Sequence, residues 1–237
     1  MRFSEPLIPG RLILRYKRFL ADVTLDDGRS LTCHCPNTGA MLGCRTPGAR
    51  VWLSHADNPR RKYAYTWELV EADGGVLTGI HTGRANALVA EAVATGLIPE
   101  LASHARVRRE VRPAGSHSRI DLLVEFADDR APCFLEVKNV TAAVTEGVAL
   151  FPDAVSSRGT RHLHELIRLR QAGFGAMLVF CVQRGDVTEV RPADSIDPVY
   201  GAALREAIAA GVRVLALGAS ISEHEIRLQE PLAVVCP

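Results

Sequence analysis

Two segments, SRIDLLV at residues 118–124 and CFLEVK at residues 133–138, carry the strongest indication of the fold. In both of them, charged side chains interrupt an apolar run that is typical of a buried strand. Because successive side chains of a strand point to opposite faces, Glu136 and Lys138 share one face. If the turn between the segments joins them as a hairpin, Asp121 comes alongside Glu136. The pattern therefore predicts a cluster of two carboxylates and one ammonium.

This cluster has the composition of a metal site. Like charges that are held close together repel each other unless a cation joins them, and hard oxygen ligands suit Mg²⁺ or Mn²⁺. Held by Asp121 and Glu136, the metal would polarise a phosphodiester and lower the pKa of a bound water, while Lys138 would orient that water or stabilise the developing charge. The alternative is a surface salt bridge of Glu136 with Lys138 or Arg119, a common and weak contact.

The lysine of this cluster is unusual for the chain. The 28 basic side chains include only three lysines, Lys17, Lys62 and Lys138, so the other 25 are arginines. A planar guanidinium is too large and too weakly acidic to assist a water beside two acids, whereas a compact ammonium can do so. The composition therefore favours a chemical role for Lys138.

A helix is predicted over residues 86–95, with Asn86 as its N-cap and Gly96 at its C-terminal end. Glu91 is the one charged residue in this run, which is apolar around its whole circumference. A helix of this kind is buried, and a buried carboxylate needs a partner. We therefore expect Glu91 to join Asp121 and Glu136 as a metal ligand.

The length and charge of the chain bound its class. It has 237 residues, of which 47% are hydrophobic, and a formal net charge of +1. These values predict a globular protein and exclude a polycationic tail or an acidic disordered segment. The start of the chain lacks the pattern of a secretory signal, and the longest apolar stretch, 176–182, is too short to span a bilayer. We expect a cytoplasmic protein without a membrane partner.

The order of the predicted elements indicates two domains. Residues 1–82 contain short strands and turns without a long helical period, which is typical of a small barrel with an OB-like fold. Residues 83–237 contain helices and strands in the order α-β-β-β-α-β followed by α-β, which predicts a mixed α/β sheet. The predicted strands are 11–16, 19–25, 30–35, 49–53, 65–71, 105–111, 119–126, 132–138, 175–183 and 213–217, and the later helices are 157–171 and 200–210.

Cysteines offer a second possible metal site. Cys33, His34 and Cys35, together with Cys44, contain zinc-binding side chains. Structural zinc sites usually pair two equally spaced sets of ligands, and no second pair follows here. Thiols that pack inside a strand are the better interpretation.

The arrangement of Asp121, Glu136 and Lys138 on an α-β-β-β-α-β core resembles the PD-(D/E)xK nuclease superfamily, with Ile120 in place of the proline that often precedes the first acid. Over nearly the whole chain, six segments in the right order resemble the sugar fermentation stimulation protein A (SfsA) family. They are HCPNTG (34–39), DNPRRKY (57–63), TWEL (66–69), SRID (118–121), EVK (136–138) and FPDAV (151–155). The resemblance implies an N-terminal OB-like barrel, a C-terminal nuclease-like domain, DNA binding and a link to the regulation of maltose metabolism.

Several cations are candidates for contacts with DNA. On the barrel, Arg60, Arg61 and Lys62 precede aromatic residues, and an OB-like face binds nucleic acid through phosphate contacts and base stacking. A solvated loop beside aromatic residues of the barrel core explains them equally well. In the second domain, Arg158 and Arg161 lie at the start of a predicted helix, where serines, arginines and free backbone amides would suit a phosphate. Ordinary N-capping by Ser156 or Ser157 explains the serines equally well. Arg119 is the remaining candidate.

Two hypotheses of function involve DNA, and a third is a protein-interaction scaffold that acts through the OB-like barrel without contacting DNA. In the first, the protein is a nuclease that depends on Mg²⁺ or Mn²⁺, and DNA lies across both domains. In the second, the same fold binds DNA as a non-catalytic regulator of sugar-utilisation genes. Because the net charge is nearly neutral, either hypothesis requires a local cationic surface. The oligomeric state does not follow from the sequence.

Overall fold

A computed structural model describes residues 1–116, 118–145 and 147–237. The first sheet consists of β1 (Ile8–Tyr16), β2 (Leu20–Leu25), β3 (Ser30–His34), β4 (Arg50–His55), β5 (Tyr65–Ala72) and β6 (Val76–Gly79). The second consists of β7 (His104–Val111), β8 (Ile120–Phe126), β9 (Cys133–Val140), β10 (Ala143–Thr145), β11 (Gly147–Phe151), β12 (Gly175–Val182), β13 (Val187–Pro192), β14 (Arg213–Ile221) and β15 (Ile226–Val234). The helices are α1 (Ala85–Ala94), α2 (Ser157–Gln171) and α3 (Pro198–Ala209).

The first sheet closes into the predicted OB-like barrel. Its strand order is β3-β2-β1-β4-β5-β6, and a parallel pairing of β3 with β5 closes it at His34 and Thr66. Trp67 is fully buried in the barrel core, and its indole nitrogen donates a hydrogen bond to the carbonyl of Leu69. This aromatic residue is therefore part of the core and does not form a binding face.

The cysteines of the barrel are packed thiols. Cys33, Cys35 and Cys44 are buried in the same hydrophobic core. Burial raises the pKa of Cys33 and of Cys44 to about 12, as for thiols enclosed by apolar side chains. The structure thus agrees with the interpretation that was preferred over zinc.

The second sheet is mixed, as predicted. Its order is β10-β11-β13-β15-β14-β12-β9-β8-β7, in which β12 lies parallel to β9 and β14, while β7, β8 and β9 are antiparallel neighbours. The two faces of this sheet carry separate hydrophobic cores. On one face α1 packs against Leu122, Leu135 and Val137, and on the other α2 and α3 pack against Leu123 and Phe134. Glu136 and Lys138 alternate with Leu135 and Val137, so they lie on the face that α2 covers.

The longest helix in the described ranges is α2, with 15 residues. None of the helices described is long and apolar enough to span a membrane.

Candidate active site

The candidate site lies where β8 and β9 separate. The register pairs Val124 with Cys133 and Leu122 with Leu135, and one step further it brings Asp121 opposite Glu136. There a side chain replaces the partner strand's carbonyl as acceptor, because Oδ2 of Asp121 accepts a hydrogen bond from the backbone N–H of Val137 at 2.8 Å. Its Oδ1 accepts another from Nδ2 of Asn86 at 2.9 Å. The strand ladder thus ends in a fixed carboxylate.

Glu136 is the centre of the cluster, and only 2% of the residue is exposed. Its Oε1 contacts Nδ1 of His162 and, at 2.6 Å, Nζ of Lys138. Nζ of Lys138 also lies 3.3 Å from Nδ1 of His162. The other carboxylate oxygen of Glu136, Oε2, is buried and has no hydrogen-bond partner among the described residues.

Burial and neighbouring charges move the pKa values of the two carboxylates in opposite directions. Burial, followed by the charge of Glu136, raises the pKa of Asp121, and its hydrogen bonds with Val137 and Asn86 offset only part of this effect. Burial also acts to raise the pKa of Glu136, but its contacts with His162 and Lys138 outweigh burial and hold that pKa below its usual value. Glu136 therefore stays ionised, whereas a nearby cation would stabilise the ionised form of Asp121.

The residues present fit a hard divalent cation. A buried carboxylate oxygen without a hydrogen-bond partner lowers the stability of the fold unless a ligand binds to it. Oε2 of Glu136 is such an atom. The described residues contain no group of three or more His, Cys, Asp or Glu side chains that could hold a metal by themselves. Mg²⁺ is usually bound by one or two carboxylates together with waters and substrate phosphates, which matches a site built on Asp121 and Glu136.

The prediction that Glu91 joins this site is wrong. Its side chain is 49% exposed and pairs with the amino group of Met1 at 2.8 Å. The physical reason is that α1 packs on the face of β9 that carries Leu135 and Val137, whereas Glu136 points to the other face. The residue of α1 that reaches the site is Asn86.

The prediction that Asn86 is the N-cap of this helix is wrong. The helix begins at Ala85, directly after a 3₁₀ turn over Thr82–Arg84, and its N-cap is Arg84, which makes no capping contact through its side chain. Asn86 lies inside the first turn, so its amide is free to hold Asp121.

The comparisons with known proteins match both parts of the chain. The family model described as "SfsA N-terminal OB domain" matches residues 13–80, and the one described as "Sugar fermentation stimulation protein RE domain" matches residues 83–225. The chain belongs to the sugar fermentation stimulation protein (SfsA) family.

Relatives in this family match over the full length. A sugar fermentation stimulation protein homolog from Alkalilimnicola ehrlichii is 59% identical, and the match covers 100% of both chains. A homolog from Thioalkalivibrio sulfidiphilus is 60% identical over 99% of this chain and 98% of its own. A solved structure of Pyrococcus furiosus SfsA in complex with Ca²⁺ is 30% identical and superposes with a TM-score of 0.89, covering 99% of this chain and 98% of that one.

His162 is a member of the site that sequence reasoning missed in this SfsA-family chain. The sequence HLHE at 162–165 lacks the H-E-x-x-H zinc signature, which favours a pair of histidines on the helix surface, and His164 is exposed. His162 is only 5% exposed and points at Glu136. Its position, four residues before the buried Leu166, places it on the apolar stripe of α2, and this spacing could have indicated burial.

The first turn of α2 lies beside the cluster. Oγ of Ser156 caps the helix by accepting from the N–H of Gly159 at 3.0 Å, and Oδ2 of Asp197 accepts from the N–H of Ser156 at 2.7 Å. Nε of Arg158 lies 3.4 Å from Nε2 of His162. Arg161 in the same turn is exposed. The serine has the ordinary capping role, and the helix start places Arg158 next to the candidate site.

The other predicted nucleic-acid residues are spread over the surface. Arg119 is exposed two residues before Asp121. Arg60, Arg61 and Lys62 lie in the loop between β4 and β5, where Arg61 donates to Oγ1 of Thr66 at 2.9 Å and Lys62 lies 5.6 Å from the ring of Tyr63. The contacts of the last two residues are therefore within the barrel.

A loop of the barrel docks beside the end of β9. The N–H of Met41 donates to Oδ2 of Asp153 at 2.9 Å. Asp153 also lines a small cavity of about 30 Å³, together with Asn37, Thr82 and Asn139 among other residues. Asn139 follows Lys138 in β9 and points to the opposite face of the sheet, where its amide oxygen accepts a hydrogen bond from Gln183, so the barrel loop contacts the end of β9.

Proposed function

We propose that this SfsA-family protein binds DNA and hydrolyses phosphodiester bonds with Mg²⁺ or Mn²⁺. The observation that carries the proposal is the meeting of Asp121, Glu136 and Lys138 where β8 and β9 separate, with one buried oxygen of Glu136 left without a partner. Family membership supports the assignment, and a link to the regulation of maltose metabolism is proposed on that ground alone.

Each residue has a chemical role in this proposal. Oε2 of Glu136 and the carboxylate of Asp121 would hold the cation, and Asn86 keeps Asp121 in place. When bound, the metal supplies Lewis-acid polarisation of the phosphate and a water of lowered pKa. Lys138 orients the attacking water and stabilises the negative charge that develops on the phosphate. The P. furiosus relative in complex with Ca²⁺ supports a divalent cation.

DNA is the proposed partner, and the protein is proposed to act in the cytoplasm. Arg158 beside His162 and Arg119, two residues before Asp121 in the sequence, would hold the DNA backbone at the cluster, together with Arg161 three residues after Arg158. Arg60, Arg61 and Lys62 would contact DNA on the barrel. In this proposal residues 1–82 form the binding domain and residues 83–237 the domain that cleaves.

The test is a cleavage assay with single- and double-stranded DNA in Mg²⁺ or Mn²⁺. Wild type is expected to cleave, and Lys138→Met to lose at least about 100-fold in rate, in line with the loss of one charge-stabilising group. Glu91→Gln is the matched control, because Glu91 lies outside the site, and it should cleave like wild type. Absence of cleavage by wild type, or equal cleavage by Lys138→Met, would overturn the proposal.

A non-catalytic DNA-binding regulator is the second candidate. One observation favours it: Lys138 and His162 both contact Oε1 of Glu136, an arrangement that a purely structural charge network also explains. In that case DNA affinity would be unchanged in Asp121→Ala, and cleavage would be absent with every metal.

A further inference from the structure

The turn between β1 and β2 holds two cations in an unfavourable backbone conformation. Lys17 has a φ of 49° and Arg18 a φ of 64°. This left-handed region is costly for residues with a Cβ, and Asn and Gly enter it more readily. Such strain persists where the surrounding structure imposes it, and it concentrates at functional sites.

Neither of these exposed cations is neutralised by an acid. In the part of the chain that the structure describes, no Asp or Glu oxygen forms an ion pair with Lys17 or Arg18. Some other exposed arginines are paired, such as Arg213 with Glu100 at 3.0 Å and Arg227 with Glu225 at 3.6 Å. The turn is therefore a local positive surface on a chain of nearly neutral net charge.

An exposed aromatic ring follows directly. Phe19 is 46% exposed, although it stands between Arg18 and the buried Leu20. A ring beside cations is the combination with which proteins bind single-stranded nucleic acid, because bases stack on the ring while the cations contact phosphates.

The turn is fixed to the barrel loop that contacts Asp153 and the end of β9. Nη2 of Arg15 donates to the carbonyl oxygens of Arg18, Asn37 and Gly39, at 2.7, 2.9 and 2.9 Å. Nε of Arg18 donates to the carbonyl oxygen of Thr38 at 2.9 Å. The same loop contacts Asp153, and the cavity that Asn37 and Asp153 line also borders Asn139 at the end of β9. The turn, the loop and the end of β9 thus form one connected series.

We propose that Lys17, Arg18 and Phe19 form a docking surface for single-stranded DNA that leads to the candidate active site. This inference rests on the proposed function for its choice of DNA. Lys17 and Arg18 contact two phosphates, and Phe19 stacks on a base. The arginine contacts hold the surface in place before DNA binds, so little ordering is needed on binding.

The strain in the turn provides a variant that separates folding from binding. Lys17→Asn combined with Arg18→Gly removes both cations while supplying residues that tolerate positive φ. The melting temperature of the full-length double variant should stay close to that of wild type, because relief of the strain offsets loss of the hydrogen bond from Arg18 to the carbonyl of Thr38. Its affinity for a fluorescent single-stranded DNA of about 20 nucleotides, measured in EDTA, should fall about 10-fold. The slope of log affinity against log salt should decrease by about 1.4, the value for two phosphates on a single strand.

Two further variants sharpen the test. Phe19→Ala should lower the affinity by about 10-fold and leave the salt slope unchanged, because stacking releases no counterions. The control, Arg213→Ala with Arg227→Ala, changes the net charge by the same amount at paired arginines and should bind within about two-fold of wild type.

Several outcomes would overturn the inference. They are wild-type affinity in the Lys17→Asn/Arg18→Gly variant, an equal loss in the arginine control, and binding of wild type to double-stranded DNA alone or to neither form. The first two leave cleavage at Asp121 and Glu136 intact as a proposal. Conversely, binding with the expected losses but without cleavage in Mg²⁺ or Mn²⁺ overturns the nuclease and keeps the docking surface.

Discussion

At the residue scale, the two oxygens of Glu136 have different surroundings. Oε1 is held by the ammonium of Lys138 and the ring of His162, whereas Oε2 is buried without a partner. The first set of contacts fixes the carboxylate and keeps it ionised, which prepares the second oxygen for a cation. On this account His162 acts through Glu136 and is a positioning residue.

Replacement of His162 should weaken the site without unfolding the protein. His162→Ala removes the contact with Oε1, and losses of this kind typically cost about 10- to 100-fold in metal affinity or activity. Asn can place a donor near the position of Nδ1, so His162→Asn should recover part of the loss. Titration calorimetry with Mn²⁺, together with the cleavage rate, checks both variants. Equal Mn²⁺ affinity in wild type and His162→Ala would contradict this role.

The sequence predicted the cluster of Asp121, Glu136 and Lys138 because strand alternation and hairpin pairing are local rules. It could not place Glu91, whose orientation depends on which face of the sheet α1 covers. It also missed His162, because the sheet that buries this ring is assembled from distant parts of the chain. Residues brought by packing helices were thus outside the reach of spacing arguments.

At the element scale, the loop after β3 and the segment after β11 are tightly fitted. A Cβ at Gly39 would lie 2.6 Å from both carboxylate oxygens of Asp153. Gly39→Ala should therefore lower the free energy of unfolding by about 1–3 kcal/mol, the usual cost of overpacking. Chemical denaturation of the full chain measures this loss.

A double variant separates the clash from other effects. In Gly39→Ala with Asp153→Ala the carboxylate that would collide is absent, so the two losses should be smaller together than their sum. Strict additivity would show that the contact between the loop and Asp153 is not the cause.

The elements themselves differed in how well they could be predicted. Helix α2 has the predicted bounds, Ser157–Gln171, because a serine caps its start and its apolar stripe is regular. The strands β6, β10, β11, β13 and β15 were missed. β13 has no regular alternation and ends in Pro192, and in β15 the alternation of residues 226–229 stops at Glu230 and Pro231, so neither sequence carries a complete strand pattern. They form because neighbouring strands pair with them, which is a tertiary effect.

At the scale of the whole molecule, a buried ion pair joins the barrel to the start of α1. The side chain of Glu68 on β5 is 2% exposed, and Arg84 donates to its two oxygens at 2.5 and 2.6 Å. Ser54 donates to Oε1 of the same carboxylate at 2.7 Å. The contact joins β5 of the barrel to the start of α1 through a carboxylate that is almost fully buried.

Replacement of Arg84 should leave the buried carboxylate of Glu68 without its cationic partner. Arg84→Leu is expected to lower the free energy of unfolding by about 3 kcal/mol, because an uncompensated buried charge remains. The control is Arg191→Leu, which removes the partner of Glu189 from a half-exposed pair and should cost less than about 1 kcal/mol. Equal losses in urea denaturation would mean that burial of Glu68 does not matter.

The whole-molecule charge gave little information about function by itself. The +1 net charge is the difference between 28 basic and 27 acidic side chains, and it does not tell which arginines are paired with a nearby acid, as Arg205 is with Asp194 at 2.6 Å. The cations that matter in the two proposals, such as Arg158 and Arg18, have other contacts. Only the folded structure separates these two groups.

The central claim is that Asp121 and Glu136 hold a divalent cation. The most direct measurement is anomalous diffraction from a crystal of the protein soaked in Mn²⁺. The account predicts a single strong peak within ligand distance of Oε2 of Glu136 and the carboxylate of Asp121, and its loss in Glu136→Gln. A crystal with no peak at this position, or with Mn²⁺ bound at Glu91 instead, would contradict the account.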